Sequence, residues 1–322
     1  MTAYETATAA PATAPLATLT SGLRRHARWL RPVGALTLLA ILVWRVGTGP
    51  FVAGIGMVDA PSVAAAVGIG IVTTVCCAWR WSVIADGLGA SVPMRAAIPA
   101  YYRSQFLNLT LPGGVVGDVH RAVRHGRAAG DVGRSARVVA WERAAGQAVQ
   151  IALTVVVLAV LPSPLRAAMP AIGLAVAVAA VGIAILLRIA PDSSRIGRMR
   201  AAVASDARRG LLGRRALTAI VLASAIVVAG HAATFLIAAH AAGITAESGR
   251  LLPTALVVLL AMSIPLSIGG WGPREAVAAW AFALAGLSAA QGVSAAVVYG
   301  VLVLFACLPG ALVLLVAWRR RG

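Results

Sequence analysis

The chain has 322 residues, of which 60% are hydrophobic and only 12% charged, and its mean hydropathy is +0.88. A soluble domain of this length carries about twice that charged fraction, and it could not hide so much apolar surface in one core. The composition excludes a soluble globular protein and makes lipid the solvent for most of the chain. All 28 basic residues are Arg, set against 10 acids, for a formal charge of +18. They fall between apolar segments, so we read them as topogenic charge with an attraction for anionic lipid head groups rather than as a nucleic-acid surface. The lack of Lys beside abundant Ala is the codon signature of a GC-rich bacterial genome.

Residues 1–22 are rich in Ala, Thr and Pro and carry a single charge, Glu5. Such a stretch cannot bury enough apolar surface to order itself. Arg24 and Arg25 follow, then an apolar run without an obvious cleavage site, so no signal peptide is expected. We take 1–30 as a disordered cytoplasmic tail, 31–318 as the transmembrane domain and 319–322 as a cytoplasmic C-terminus.

A spanning helix needs about 20 mainly apolar residues. In chain order the clear candidates are 32–49, 62–79, 138–160, 168–188, 216–240 and 293–317. Two further regions are apolar but interrupted: 96–117, broken at Leu-Pro-Gly-Gly, and 252–287, broken at Ile-Gly-Gly-Trp-Gly-Pro. The expected fold is therefore an all-α polytopic membrane protein, with six clear helices and two Gly/Pro-broken re-entrant or split segments, about eight spans in all. Cys76, Cys77 and Cys307 lie inside apolar runs and read as small buried hydrophobes.

Arg positions set the orientation. With the N-terminus inside, the inner flanks and loops collect Arg24, Arg25, Arg28, Arg31, Arg80, Arg95, Arg121, Arg124, Arg127, Arg134 and Arg137. Eight more Arg lie between Arg188 and Arg215, and Arg319, Arg320 and Arg321 follow the last helix. The outer loops hold only Arg166 and Arg250, while Arg45 can snorkel from the outer end of the first helix. A multi-pass protein of the cell membrane with both termini cytoplasmic is expected. On this count 96–117 enters and leaves from inside. Region 252–287 starts and finishes outside, as a hairpin or as two crossings.

The two breaks share an order of residues. The first reads Leu111-Pro112-Gly113-Gly114, then Gly117, Asp118 and Arg121; the second reads Ile264-Pro265, then Gly269, Gly270, Gly272, Arg274 and Glu275. Inverted repeats with broken helices at the binding site are a transporter pattern, and short chance matches are the alternative. In hydrocarbon, irregular backbone survives only where protein or a water-filled cavity satisfies it. A helix starting near Asp118, with that residue as N-cap, would point free N–H groups at an anion such as phosphate. The plainer reading is a capped turn between two membrane helices. Arg121 is three positions on and can bind Asp118 or a phosphate.

Each unpaired charge near the bilayer centre costs about 2.5–3.5 kcal/mol. Arg274 and Glu275 are thus expected either to meet a head-group phosphate or to form a local pair. Trp271 is a candidate interfacial anchor. Glu142 and Arg143, one turn into 138–160, either line the inner mouth of a cavity and pair with Arg121 or Asp118, or snorkel to the surface. His231 lies inside 216–240, as a proton carrier or a hydrogen-bonded packing residue. Arg103 and Asn108 can satisfy exposed carbonyls, and His120 and His125 read as surface residues. No P-loop, metal-ligand spacing or nucleophile elbow is present in the sequence, and no cofactor or metal is expected.

The string from Asn108 to Arg121, Arg80-Trp81, Glu142-Arg143, and Ile264-Pro265 through Gly269-Gly270-Trp271-Gly272-Pro273-Arg274-Glu275 together resemble the lysylphosphatidylglycerol synthase transmembrane family, also called flippase-like membrane proteins. The resemblance spans roughly 30 to 318 and keeps the family's order of blocks. Val115-Val116 departs from it where a further glycine is common. The resemblance implies a module that moves amphipathic lipids between leaflets. Larger members add a soluble domain that transfers lysine from tRNA to phosphatidylglycerol, for which this chain has no room after its last helix.

The expected lipid- or phosphate-binding residues are Asn108, Pro112, Gly113, Gly114, Gly117, Asp118, Arg121, Gly269, Gly270, Gly272, Arg274 and Glu275, supported by Glu142, Arg143 and His231. The expected function is translocation or binding of a phosphate-bearing phospho- or polyprenyl-linked lipid, with membrane lipids as partners and no nucleic acid. The alternatives are a head-group enzyme using Asp118, Glu142 or Glu275, and a non-transporting partner of an envelope-lipid or glycosyltransferase complex.

Overall fold

The computed structural model describes residues 49–111, 113–161, 163, 166, 170, 205–262 and 272–319. These residues form α1 (Gly49–Gly56), α2 (Ala60–Gly87), α3 (Met94–Thr110), α4 (Val116–Ala129), α5 (Val132–Val160), α6 (Arg214–Ala241), α7 (Ser248–Ala261), α8 (Pro273–Leu284) and α9 (Ala289–Arg319), with a short helical stretch at 205–210. The predicted segments 62–79, 138–160, 216–240 and 293–317 are α2, α5, α6 and α9. All four are long and apolar enough to cross a membrane. At 28 to 31 residues each, they are about 42–47 Å long, more than the roughly 30 Å of hydrocarbon. Apart from residues 49 and 170, segments 32–49 and 168–188 lie outside the described residues, as does the expected tail.

Local sequence explains where these helices begin and turn. Asp59 accepts from Ser62 N at 3.0 Å, with Pro61 in the first turn of α2. Gly130 adopts φ +75° to end α4, and Asp131 caps α5 by accepting from Arg134 N at 2.8 Å. That left-handed glycine followed by an N-capping aspartate makes a one-step reversal between the two helices.

One face of the bundle gathers the Arg-rich helix ends. Arg134 on α5 donates to Gly89 O at 3.1 Å beyond α2, and a His125 ring nitrogen from α4 lies 3.1 Å from Ala90 O. Arg137 pairs with Asp206 at 2.7 Å, and Gly210 lies against the backbone of Gly87. Large apolar side chains remain outward on the long helices, among them Val156, Val160, Leu312 and Leu315. A soluble protein rarely leaves such a surface, which here suits a lipid solvent.

Because lipid tails are as apolar as the side chains, small residues and close packing drive helix contacts. An added Cβ at Gly70 would sit 2.6 Å from Ala306 Cβ, and one at Gly230 2.5 Å from Thr73 Cγ2. The glycines of α9 receive two neighbours in the same way. Gly292 lies under Ala278 O of α8 and Gly310 under Tyr102 O of α3, each leaving under 2.5 Å for a Cβ. Among the described residues two large apolar clusters fill the interior. One joins Phe235, Phe282 and Tyr299 near the start of α9; the other joins Trp81, Ile84, Ala97 and Val138 near the Arg-rich face.

Each interrupted region contains two helices. Region 96–117 holds most of α3, the non-helical residues 111 and 113–115, and the start of α4. Region 252–287 contains α7 and α8, with 263–271 outside the described residues. With 14 and 12 residues, α7 and α8 are about 21 and 18 Å long, too short for either to cross alone. That length favours the hairpin over two crossings. Helix α3 packs on the later half of α9 at Gly310 and α8 on the earlier half at Gly292 and Gly300, so the two approach it from opposite ends.

Candidate functional site

Described residues flanking the two breaks meet around one cavity inside the bundle. Asn108, Leu109 and Gly114 of the first line the same cavity as Met262, Pro273 and Arg274 of the second, across from Val303, Ala306 and Cys307 of α9. This cavity and the one beside it each hold about 220 Å³. Gln105, Asn108, Arg143, His231 and Met262 border both, so the pair forms one polar path inside the bundle.

Beside the first tip five charged side chains form a single network. Glu142 is fully buried; its Oε1 accepts from Arg80 Nε at 3.0 Å and Tyr101 OH at 3.1 Å, and its Oε2 from Arg121 Nη2 at 2.9 Å. Asp118 Oδ1 accepts from Arg121 Nη2 at 3.0 Å and Ser104 Oγ at 3.1 Å. Its Oδ2 accepts from Asn108 Nδ2 at 3.0 Å and from Arg143 Nη2. The Arg121 guanidinium is sandwiched between the rings of Trp81 and Tyr101, with centroids at 4.6 and 4.4 Å. Arg80 also donates to Ser224 Oγ at 2.9 Å and lies so close to α5 that only glycine fits at Gly146, where a Cβ would be 2.8 Å from Arg80 Nη1.

Three arginines against two carboxylates leave this network one positive charge in excess. In a low-dielectric interior that excess favours an anion, and Arg143, with its side chain 51% exposed, is the member that borders both cavities.

The second tip is simpler. Arg274 and Glu275 are buried and pair with each other, Nε to Oε1 at 2.8 Å. Glu275 Oε2 also accepts from Gly272 N at 2.7 Å, holding the first turn of α8. Gly272 has φ 114°, a conformation only glycine adopts cheaply. The Arg274 guanidinium lies 5.5 Å from the Tyr299 ring centroid and fills the space left by Gly300, where a Cβ would be 2.4 Å from its Nη2. Tyr299 OH and His231 Nδ1 are 2.9 Å apart, which makes His231 a hydrogen-bonded residue that also borders both cavities.

Of the expected site residues, the structure thus brings together Asn108, Gly117, Asp118, Arg121, Glu142 and Arg143. It places Gly114, Arg274 and His231 around the cavity, with Gly272 and Glu275 supporting Arg274. Gly113 and Gly114 adopt φ 96° and 64° in the break. Pro112, Gly269, Gly270 and Trp271 lie outside the described residues.

Three expectations are corrected. Asp118 is not the N-cap, because α4 begins at Val116, with Val115 in the cap position and no side-chain cap bond. The Gly117 N–H is not free for an anion either; Asn108 Oδ1 accepts it at 2.7 Å. Arg80 is not a flanking charge but a buried member of the network, since α2 runs two turns past 79. His125 is half-buried, edge-on to Trp81 with ring centroids 5.7 Å apart, rather than a surface residue. Tyr101, Ser104 and Ser224 were not singled out from sequence at all; a run of polar residues on α3 at one-turn spacing (Tyr101, Ser104, Asn108) was the available signal.

Residues 28–310 match the family model of the lysylphosphatidylglycerol synthase TM region. The chain belongs to this family. Comparison with curated proteins and with solved structures gave no significant match. The lysylphosphatidylglycerol synthase TM region is a membrane module linked to lipid handling, and every block that carried the resemblance and lies among the described residues maps to the paired cavities or to the helices that wall them.

Proposed function

We propose that this lysylphosphatidylglycerol synthase TM module binds and translocates a phosphate-bearing lipid, phospho- or polyprenyl-linked, across the cell membrane with both termini cytoplasmic. One observation carries the reading: two oppositely directed hairpin tips share a polar cavity whose walls have an unbalanced positive charge. A phosphate entering it would meet Arg143 and Arg274, while Asn108 and His231 supply neutral hydrogen bonds. Asp118 and Glu275 hold those guanidiniums in place. The acyl or prenyl chain would remain in the bilayer, where the long helices are apolar.

The head-group enzyme fits less well. Asp118, Glu142 and Glu275 are the acids available to it among the described residues of the two tips, and each carboxylate is already engaged by arginine. A general base needs an oxygen turned to the substrate. Membrane partners in envelope-lipid synthesis remain compatible with this reading.

The test is reconstitution into liposomes carrying fluorescent phosphatidylglycerol or a polyprenyl phosphate in both leaflets, followed by chemical bleaching from outside. Wild-type protein should make the inner pool accessible. Arg143→Gln should slow this by about tenfold, the worth of one charge-assisted hydrogen bond. Wild-type vesicles that bleach no further than protein-free ones, beside a working scramblase control, would sink the proposal.

A further inference from the structure

A third cavity lies away from the hairpin tips, at the Arg-rich face, between α2, α3, α4 and the last turns of α9. It holds about 750 Å³, more than three times either central cavity. One wall is cationic: Arg103, Arg121 and Arg124 line it with Trp81 and His125, and among the described residues no Asp or Glu does. The other wall is apolar, formed by Leu312, Val313, Val316 and Ala317 of α9. On the outward side of that wall Leu312 is 63% exposed and Val316 51%.

The cationic wall is built rather than incidental. Arg103 is 5% exposed, Arg121 1% and Trp81 1%. Arg121 Nε, Arg121 Nη1 and Trp81 Nε1 are buried donors without a hydrogen-bond acceptor among the described residues. Buried donors are normally satisfied, and Arg121 and Trp81, which carry three unsatisfied ones, both border this cavity, which points to an acceptor that is not part of the chain. A ligand matching both walls has oxygens with negative charge at one end and a hydrocarbon chain at the other.

We propose that this groove binds an anionic phospholipid of the cytoplasmic leaflet, with its phosphate against Arg124 and the Arg121–Trp81 floor and one acyl chain along α9. The site does not depend on translocation through the central cavities. Its occupant is held at the rim of the bundle, and its phosphate would add acceptors to the guanidinium that anchors the central network. Arg121 is common to both places: Nη2 serves Asp118 and Glu142, while Trp81 and Arg121 together floor the groove.

Native mass spectrometry of the full chain from micelles tests this with dioleoyl phosphatidylglycerol, dioleoyl phosphatidylcholine and inorganic phosphate as probes. Arg124→Gln changes an exposed residue that takes no part in the central network, and Arg127→Gln, an exposed Arg on the same helix outside the groove, is the control. Phosphatidylglycerol should bind, and Arg124→Gln should weaken it roughly fivefold, as expected for one Arg near an anionic lipid. Arg127→Gln should leave it unchanged, and Val316→Asn should weaken it by removing chain contact. Equal retention of phosphatidylcholine, equal loss in both Arg variants, or displacement by millimolar inorganic phosphate would each overturn the proposal. The last outcome would mark a free-anion site. Loss of binding in Arg124→Gln with liposome translocation intact would separate this site from the central one.

Discussion

The two hairpin tips each place a buried arginine at a chain break, but they neutralise it differently. At the first, Arg121 is bound by Asp118 of its own helix and by Glu142 of α5, and Glu142 in turn holds Arg80 of α2. Three helices therefore share one electrostatic knot. At the second, Arg274 is paired with its sequence neighbour Glu275, and the same carboxylate holds the backbone of Gly272. Both charges of that pair come from the first turn of α8, with the Tyr299 ring of α9 beside the guanidinium. The difference teaches that a shared network ties helices to one another through charge, whereas a local pair leaves its helix to be held by packing, here at Gly292 and Gly300.

The sharpest way to break this comparison is Glu142→Gln. It strands Arg80 and leaves Arg121 with Asp118 alone, and we expect a loss of about 3–5 kcal/mol in denaturant unfolding from micelles. A loss below about 1 kcal/mol would show that the knot does not hold the helices. Next is Gly117→Ala, whose Cβ would fall 1.9 Å from Ser104 O, on backbone that cannot swing aside. Thermal unfolding should reveal a cost of about 3 kcal/mol. At the other tip, Gly272→Ala forces a positive φ on a residue with a Cβ and should cost about 1–3 kcal/mol in the same measurement.

The smallest effect is the most diagnostic. The double variant Arg274→Met with Glu275→Gln removes both charges of the adjacent pair while keeping an acceptor for Gly272 N–H. Its unfolding free energy should stay within about 1 kcal/mol of wild type. The matching change Arg121→Met with Glu142→Gln leaves Arg80 without its carboxylate and should cost about 3 kcal/mol or more. Similar costs for the two double variants would erase the distinction between knot and local pair.

Much of this was legible in the amino-acid order. Charges inside apolar runs advertise themselves, so Glu142, Arg143 and Arg274-Glu275 stood out. The three-residue step from Asp118 to Arg121 on a helix implied their contact. Arg counting placed the two breaks on opposite sides, and their packing on opposite halves of α9 agrees. The rest depended on partners distant in sequence. Arg80 was counted as a flank because position along the chain says nothing of a carboxylate 62 residues away. Asp118 was misplaced as a cap because Asn108, from the preceding helix, already takes the Gly117 N–H. The groove beside α9 was invisible, since its Arg residues carry the same charge signal as any inner loop.

Helix α9 has a mechanical consequence. Both hairpins are seated on it through glycines, at Gly292 and Gly300 for α8 and at Gly310 for α3. Neither can slide along the rod by a residue without driving a carbonyl or a guanidinium into a side chain. Pro309, one residue before the α3 notch, cannot donate to the Phe305 carbonyl, so the rod is weakest between its two seats. A helix notched at two levels holds its two passengers at fixed heights, as pegs hold shelves on a post.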